Sequence, residues 1–175
     1  MTCCSCCLPH AVIPRPIGLG SEQTYLRAVQ ELQHLTRLEL TLSIADDREP
    51  EICSYLSGLV NLQHLQLWFM EGEPRYQDCL SLCRLKSLTH LSLHRAEQAV
   101  GDTVAVALAS SLPLLRHLEL SWCQISCDTV IPAMAMLQHL TQLVLPYNGI
   151  AYVAGCVDLI KQLRDPNWPK LVVKL

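Results

Sequence analysis

Three histidines recur in this 175-residue chain at intervals of 26 and 27 residues, at His64, His90 and His117, and a fourth, His94, follows the second by four positions. Brought side by side, three imidazoles can share a zinc ion through their ring nitrogens. They can also form a patch whose charge changes near neutral pH. Glu119 lies two residues after His117, and alternate residues of a strand share a face, so this is the nearest approach to an acid–base pair. A solvated pair explains it, and a solvent-facing strand position explains the histidines. The chain is therefore expected to hold no metal and no cofactor.

Two further sets carry chemistry. Trp68, Trp122 and Tyr147, with Arg95, are of the residue types enriched at binding hot spots. The competing reading is that Phe69 and Trp122 fold over a turn and cap the core. Cys3, Cys4, Cys6 and Cys7 crowd the first seven residues. Thiolates this dense can take a soft metal, and cysteines near an N-terminus can be palmitoylated; a tail whose cysteines do nothing specific is the plainer alternative. Acylation there is the one route by which the chain is expected to touch a membrane, since no apolar run reaches the roughly 18 residues that a spanning helix needs.

Catalytic constellations are missing. There is no phosphate loop, no GxSxG elbow and no HExxH, and Gly18-Leu19-Gly20 lacks both a third glycine and a preceding strand. A non-enzyme is expected. A net charge of −3 with 17% charged residues gives no basic surface for nucleic acid. Half the residues are hydrophobic, enough for a sizeable core. The six cysteines outside the N-terminal cluster lie among apolar neighbours and read as reduced, small hydrophobes. With no basic n-region or long h-region, an intracellular, cytoplasmic protein is expected.

The elements that must position these residues are set by a repeated frame, Leu-x-x-Leu-x-x-Leu-x-Leu, starting at Leu32, Leu59, Leu85, Leu112 and Leu137. A degenerate copy, WPKLVVKL, closes the chain, with Leu171 and Val173 standing 28 residues after Leu143 and Leu145. Repetition at 25 to 27 residues is the mark of a stacked array. Each Leu-x-Leu predicts a short strand, followed by a turn and a short helix. Helical patterns fall at Glu51–Leu59, Tyr76–Leu85, Gly101–Leu112, Asp128–Leu137 and Ala151–Arg164, and Ser21 is a plausible N-cap for a helix leading into the first frame. Residues 1–20, broken by Pro9, Pro14 and Pro16, are expected to form a tail, and residues 21–175 the repeat domain.

With the frame leucines inward, the intervening residues fall into columns on one sheet face. One column holds Arg37, His64, His90, His117, Gln142 and Lys170. The next holds Glu39, Gln66, Ser92, Glu119, Val144 and Val172. A third holds Thr41, Trp68, His94, Ser121, Pro146 and Lys174, with Phe69, Arg95, Trp122 and Tyr147 just beyond it.

The frames resemble those of leucine-rich-repeat proteins, in the ribonuclease-inhibitor-like and cysteine-containing subclasses. The resemblance covers about residues 24–175. It implies an α/β solenoid, a horseshoe of five to six repeats with a parallel concave sheet and convex helices. In that family the third position after the strand is Asn or Cys; here it holds Ser43, Met70, Ala96, Cys123 and Asn148, so the early turns are expected to be less regular. The resemblance implies a non-enzymatic protein–protein interaction module. Its partner-binding surface would comprise Arg37, His64, Trp68, His90, His94, Arg95, His117, Glu119, Trp122 and Tyr147. An alternative is the substrate-recognition portion of an F-box-type ubiquitin ligase, which would need an N-terminal segment that this sequence lacks. At the other end, three expectations stand for the last strand: blunting by Lys170 and Lys174, membership of a longer array, or self-association.

Overall fold

The computed structural model describes residues 10–13, 27–44, 52–145 and 172–174. Its strands are β1 (His10–Ile13), β2 (Arg37–Ser43), β3 (His64–Glu71), β4 (His90–Glu97), β5 (His117–Cys123), β6 (Gln142–Val144) and β7 (Val172–Lys174). They form one seven-stranded sheet in chain order, with every neighbouring pair parallel. The helices Ile52–Leu56, Tyr76–Cys79, Asp102–Ser111 and Cys127–Met134 occupy the connections. A 3-10 segment, Leu80–Arg84, continues the second of them. Helix follows strand because parallel neighbours need a crossover of about a dozen residues.

The frame spacing has a local cause. Its first two leucines bracket a turn closed by a hydrogen bond from the N–H of the second to the C=O of the first. The bonds measure 2.9 Å from Leu35 to Leu32, 2.9 Å from Leu62 to Leu59, 3.0 Å from Leu88 to Leu85, 3.2 Å from Leu115 to Leu112 and 3.0 Å from Leu140 to Leu137. The turn delivers the chain into the next strand, whose alternation then sends one side chain in two to the core. Leu38, Leu40, Leu65, Leu67, Leu91, Leu93, Leu118, Leu120 and Leu143 are all buried this way, in one cluster with Leu56, Leu108 and Met134 from the helices. Each fully buried leucine contributes roughly 1.5–3 kcal/mol, which no isolated unit could realise.

Side chains also tie one unit to the next. The buried Asp78 carboxylate accepts the N–H of Cys53 at 2.8 Å and that of Ser54 at 2.8 Å, at the start of the preceding unit's helix. Asp102 accepts from the backbone N–H and the hydroxyl of Ser126, the residue before the following unit's helix. Helix N-termini leave orphan N–H groups, and here neighbouring units satisfy them.

Two features depart from the sequence expectations, and Phe69 follows the competing one by lying on the core side. β1 adds an edge strand from within residues 1–20, pairing His10 with Arg37. Val173 lies beside Leu143, and Val172 beside Gln142. The register of the last strand is thus two residues away from the frame alignment, because its degenerate copy lacks the leucines that would fix it. Phe69 is core, 2% exposed: β3 alternates without interruption through Phe69, so this ring points inward with Leu65 and Leu67.

The third position after the strand also behaves differently along the array. Ala96 and Cys123 are buried, whereas Met70 is exposed. The difference is a backbone inversion. Arg95 and Trp122 hold left-handed conformations, φ 59° and 57°, next to a register shift between β4 and β5. The inversion turns Ala96 and Cys123 inward, and burial pushes the Cys123 thiol up to about 12, where it is an unreactive core group. A hydrogen bond with Cys79, then burial, raises the Cys53 thiol well above its ordinary range.

Candidate interaction face

The sheet face away from the leucine core carries the predicted columns. Arg37 stands on β2, His64 and Trp68 on β3, His90, His94 and Arg95 on β4, and His117, Glu119 and Trp122 on β5. Tyr147 and the cysteines Cys3, Cys4, Cys6 and Cys7 lie outside the described residues, as do Ser21, Pro146, Lys170 and the helical pattern at Ala151–Arg164.

The histidine column is continuous. Arg37 pairs with His64, His64 with His90 and His90 with His117 in strand register. The rings stack face to face: His64 and His90 have centroids 4.1 Å apart at 16°, and His90 and His117 5.8 Å apart at 18°. Stacked rings aim their nitrogens side by side rather than at one point. Among the described residues no group of three or more His, Cys, Asp or Glu side chains is arranged to hold a metal ion.

Thr89 Oγ1 lies 3.0 Å from the Gln63 carbonyl and 2.9 Å from His90 Nδ1. That carbonyl also accepts the backbone N–H of Thr89 at 2.8 Å and of His90 at 3.0 Å, so these contacts tie the ring of His90 to the adjacent unit. Burial, then the charge of His64 and His117, then Arg37 and Arg116, lowers His90 to about 4. Burial and Arg37 lower His64 as well. At neutral pH both rings are uncharged.

Arg37 and His117 bound a shallow concavity of about 260 Å³, lined also by Glu39, His64, His90 and Glu119. Arg37 donates to Glu39 Oε1 from Nη2 at 2.7 Å and from Nε at 3.0 Å. Glu119 accepts from Ser121 Oγ at 3.0 Å and from Ser92 Oγ at 3.4 Å. His94 Nδ1 and His117 Nε2 each stand 3.8 Å from it. Beyond Glu119, His94 is 6% exposed, beneath a Trp68 indole that is itself 38% exposed. Burial lowers His94 despite Glu119, which raises it.

Trp122 is 51% exposed and Arg95 is exposed. Both hold the left-handed conformation described above. A left-handed non-glycine residue costs roughly 1–2 kcal/mol, so these side chains are displayed at the expense of local strain.

Thr89 was not among the predicted site residues, yet it fixes the central histidine. A signal for it was present: Thr36, Thr89 and Thr141 occupy the same frame position in three copies. Thr141 repeats the contact, donating to the Arg116 carbonyl at 3.0 Å.

No protein-family model matches the sequence. No curated protein matches it. Among solved structures it is similar to one described as the structure of Chaetomium Mex67:Mtr2 subunits, at 15% identity and a TM-score of 0.46, over 87% of this chain and 88% of that one. At that score the likeness decides nothing about this chain. Among the described residues no helix is long and apolar enough to cross a membrane.

Proposed function

We propose that the chain is a leucine-rich-repeat solenoid of the ribonuclease-inhibitor-like or cysteine-containing kind, acting as a non-enzymatic module that binds a protein partner. The partner would lie across the open face of β2–β5 and engage Trp68, Arg95 and Trp122 at its edge. The single observation that carries this reading is the pair Arg95 and Trp122, an exposed guanidinium and an exposed indole held at equivalent repeat positions in left-handed backbone. Large aromatic and arginine side chains dominate binding energy at protein interfaces. A rigid sheet that presents them in advance reduces the ordering cost of association.

The test is affinity purification with cross-linking, comparing the wild-type chain with Trp68→Ala/Trp122→Ala. Loss of the cross-linked partners in the double variant supports the reading. An unchanged set from a variant that folds normally overturns it.

A further inference from the structure

We propose that the two edges of the sheet bind each other, so that a second copy of this chain seats its β1 beside β7 and extends the array head to tail. The inference concerns the sheet edges and stands apart from the partner reading of the β2–β5 face.

Strand direction comes first. The seven strands lie in chain order with every neighbouring pair parallel. β1 and β7 therefore point the same way at opposite edges, and among the described residues each is paired on one side only. An edge strand offers its backbone N–H and C=O groups to another chain. Placing β1 of one copy beside β7 of another makes a parallel pair, the kind that already joins every strand here to the next. The core faces then stay on the same side of the sheet. A two-fold contact of β7 with β7 would reverse the strand direction or turn the core faces opposite ways.

The core column comes second. One line of register neighbours crosses the sheet from Ala11, through the frame leucines, to Val173. The leucines inside it, Leu38, Leu65, Leu91, Leu118 and Leu143, are at most 1% exposed. Ala11 and Val173 are only partly buried, because among the described residues each has a strand neighbour on one flank alone. Head-to-tail addition sets Val173 of one copy beside Ala11 of the next, at a strand spacing of about 4.8 Å. The apolar line then continues without a break, and both ends gain the flank they lack.

The polar face comes third. Val172 is 52% exposed beside Gln142, the apolar end of a column that otherwise carries Arg37, three histidines and Gln142. In the same register it comes beside the position of His10, which begins that column in the next copy. Lys174 is exposed on the polar face beside Val144, so its charge does not enter the core line. A head-to-tail contact leaves one β1 and one β7 edge free, so growth continues past the dimer. The edge strands are four and three residues long, so association is weak and depends on concentration.

The test is sedimentation velocity of the full chain from about 10 μM to about 1 mM, where the average mass should rise past that of a dimer. Ala11→Asp spoils one edge and Val173→Asp the other. Each folded variant alone should stay monomeric. Their equimolar mixture should form dimers that grow no further, since each keeps the edge that the other lacks. Hydrogen exchange of the wild-type chain decides even where a variant fails to fold: between the lowest and highest concentrations, amides of both β1 and β7 should slow about tenfold or more. A wild-type chain that stays monomeric throughout overturns the proposal. So does a folded single variant that assembles as the wild type does, a mixture of folded variants that stays monomeric, or slowing confined to one edge.

Discussion

The indole of Trp68 lies flat on the imidazole of His94, with ring centroids 4.0 Å apart and planes 15° from parallel. The two residues are register partners on β3 and β4, and the indole is the cover that leaves His94 buried. Trp68→Ala removes that cover. His94 should then titrate closer to its ordinary range, since burial is the main cause of its lowering. Stability should fall by about 0.5–1.5 kcal/mol from the lost ring contact, and Trp68→Phe should retain part of it. Histidine NMR titration and urea unfolding check both; an unmoved His94 would refute the cover.

Arg95 and Trp122 bear left-handed strain that glycine does not. Trp122→Gly should therefore be more stable than Trp122→Ala by about 1 kcal/mol, with the same order at Arg95. This reverses the usual preference for alanine over glycine in a strand. Paired chemical denaturation of the four variants measures it, and an alanine advantage at both positions sinks the account.

Gly72 should tolerate no side chain. It has φ +69°, and a Cβ there would run into the Ile44 carbonyl oxygen and stand 2.9 Å from the Ile44 Cβ. Gly72→Ala combines backbone strain with a clash against main chain and should cost about 2 kcal/mol or more. A thermal midpoint equal to that of the wild type would contradict this.

Asp78 is expected to be among the costliest polar positions to change. Asp78→Ala strands the buried N–H of Cys53 and that of Ser54, a loss of about 2–4 kcal/mol. Asp78→Asn keeps one acceptor and should fall between. Hydrogen exchange should quicken at Cys53 and Ser54 before it does in β5, since the link joins two neighbouring units. Uniform quickening throughout would show that Asp78 has no such local role.

Acid should weaken the fold through the histidine face. His90 is lowered to about 4 from an ordinary 6.5, so between these values the unfolded chain binds protons that the folded chain does not. Stability is then fully present above about pH 6.5 and is lost as pH falls towards 4. His64 and His94 are lowered too and act with the same sign. Thermal midpoints measured from pH 7.5 to 4.5 should decline, and less steeply in His90→Gln. Parallel curves for the two chains would remove His90 from the explanation.

Much of this was legible in one dimension. The leucine frame marks β2 to β6 because both of its signals are local: a three-residue turn spacing and a two-residue strand alternation. It also places Arg37, His64, His90 and His117 in one column, since equal frame positions become lateral neighbours. Where the frame decays, so does legibility. β1 has no leucines to announce it, and the last copy has too few to set its register. Phe69 reads like Arg95 by position, yet among the described residues only the β4 and β5 units invert their backbone at that point.

By itself, then, the sequence determined the repeat, the parallel order of strands β2 to β6 and the face on which the polar columns stand, because periodicity acts through neighbours along the chain. The tertiary structure alone decided that the histidines stack instead of converging, that Thr89 ties His90 to the adjacent unit, that Trp68 covers His94 and that Glu119 lies beside His94 as well as beside His117. Each of those depends on atoms brought within about 4 Å by packing between strands, at sequence separations of some 26 residues that local pattern does not reach, His90–Thr89 excepted, where the deciding third group is the Gln63 carbonyl of the adjacent unit.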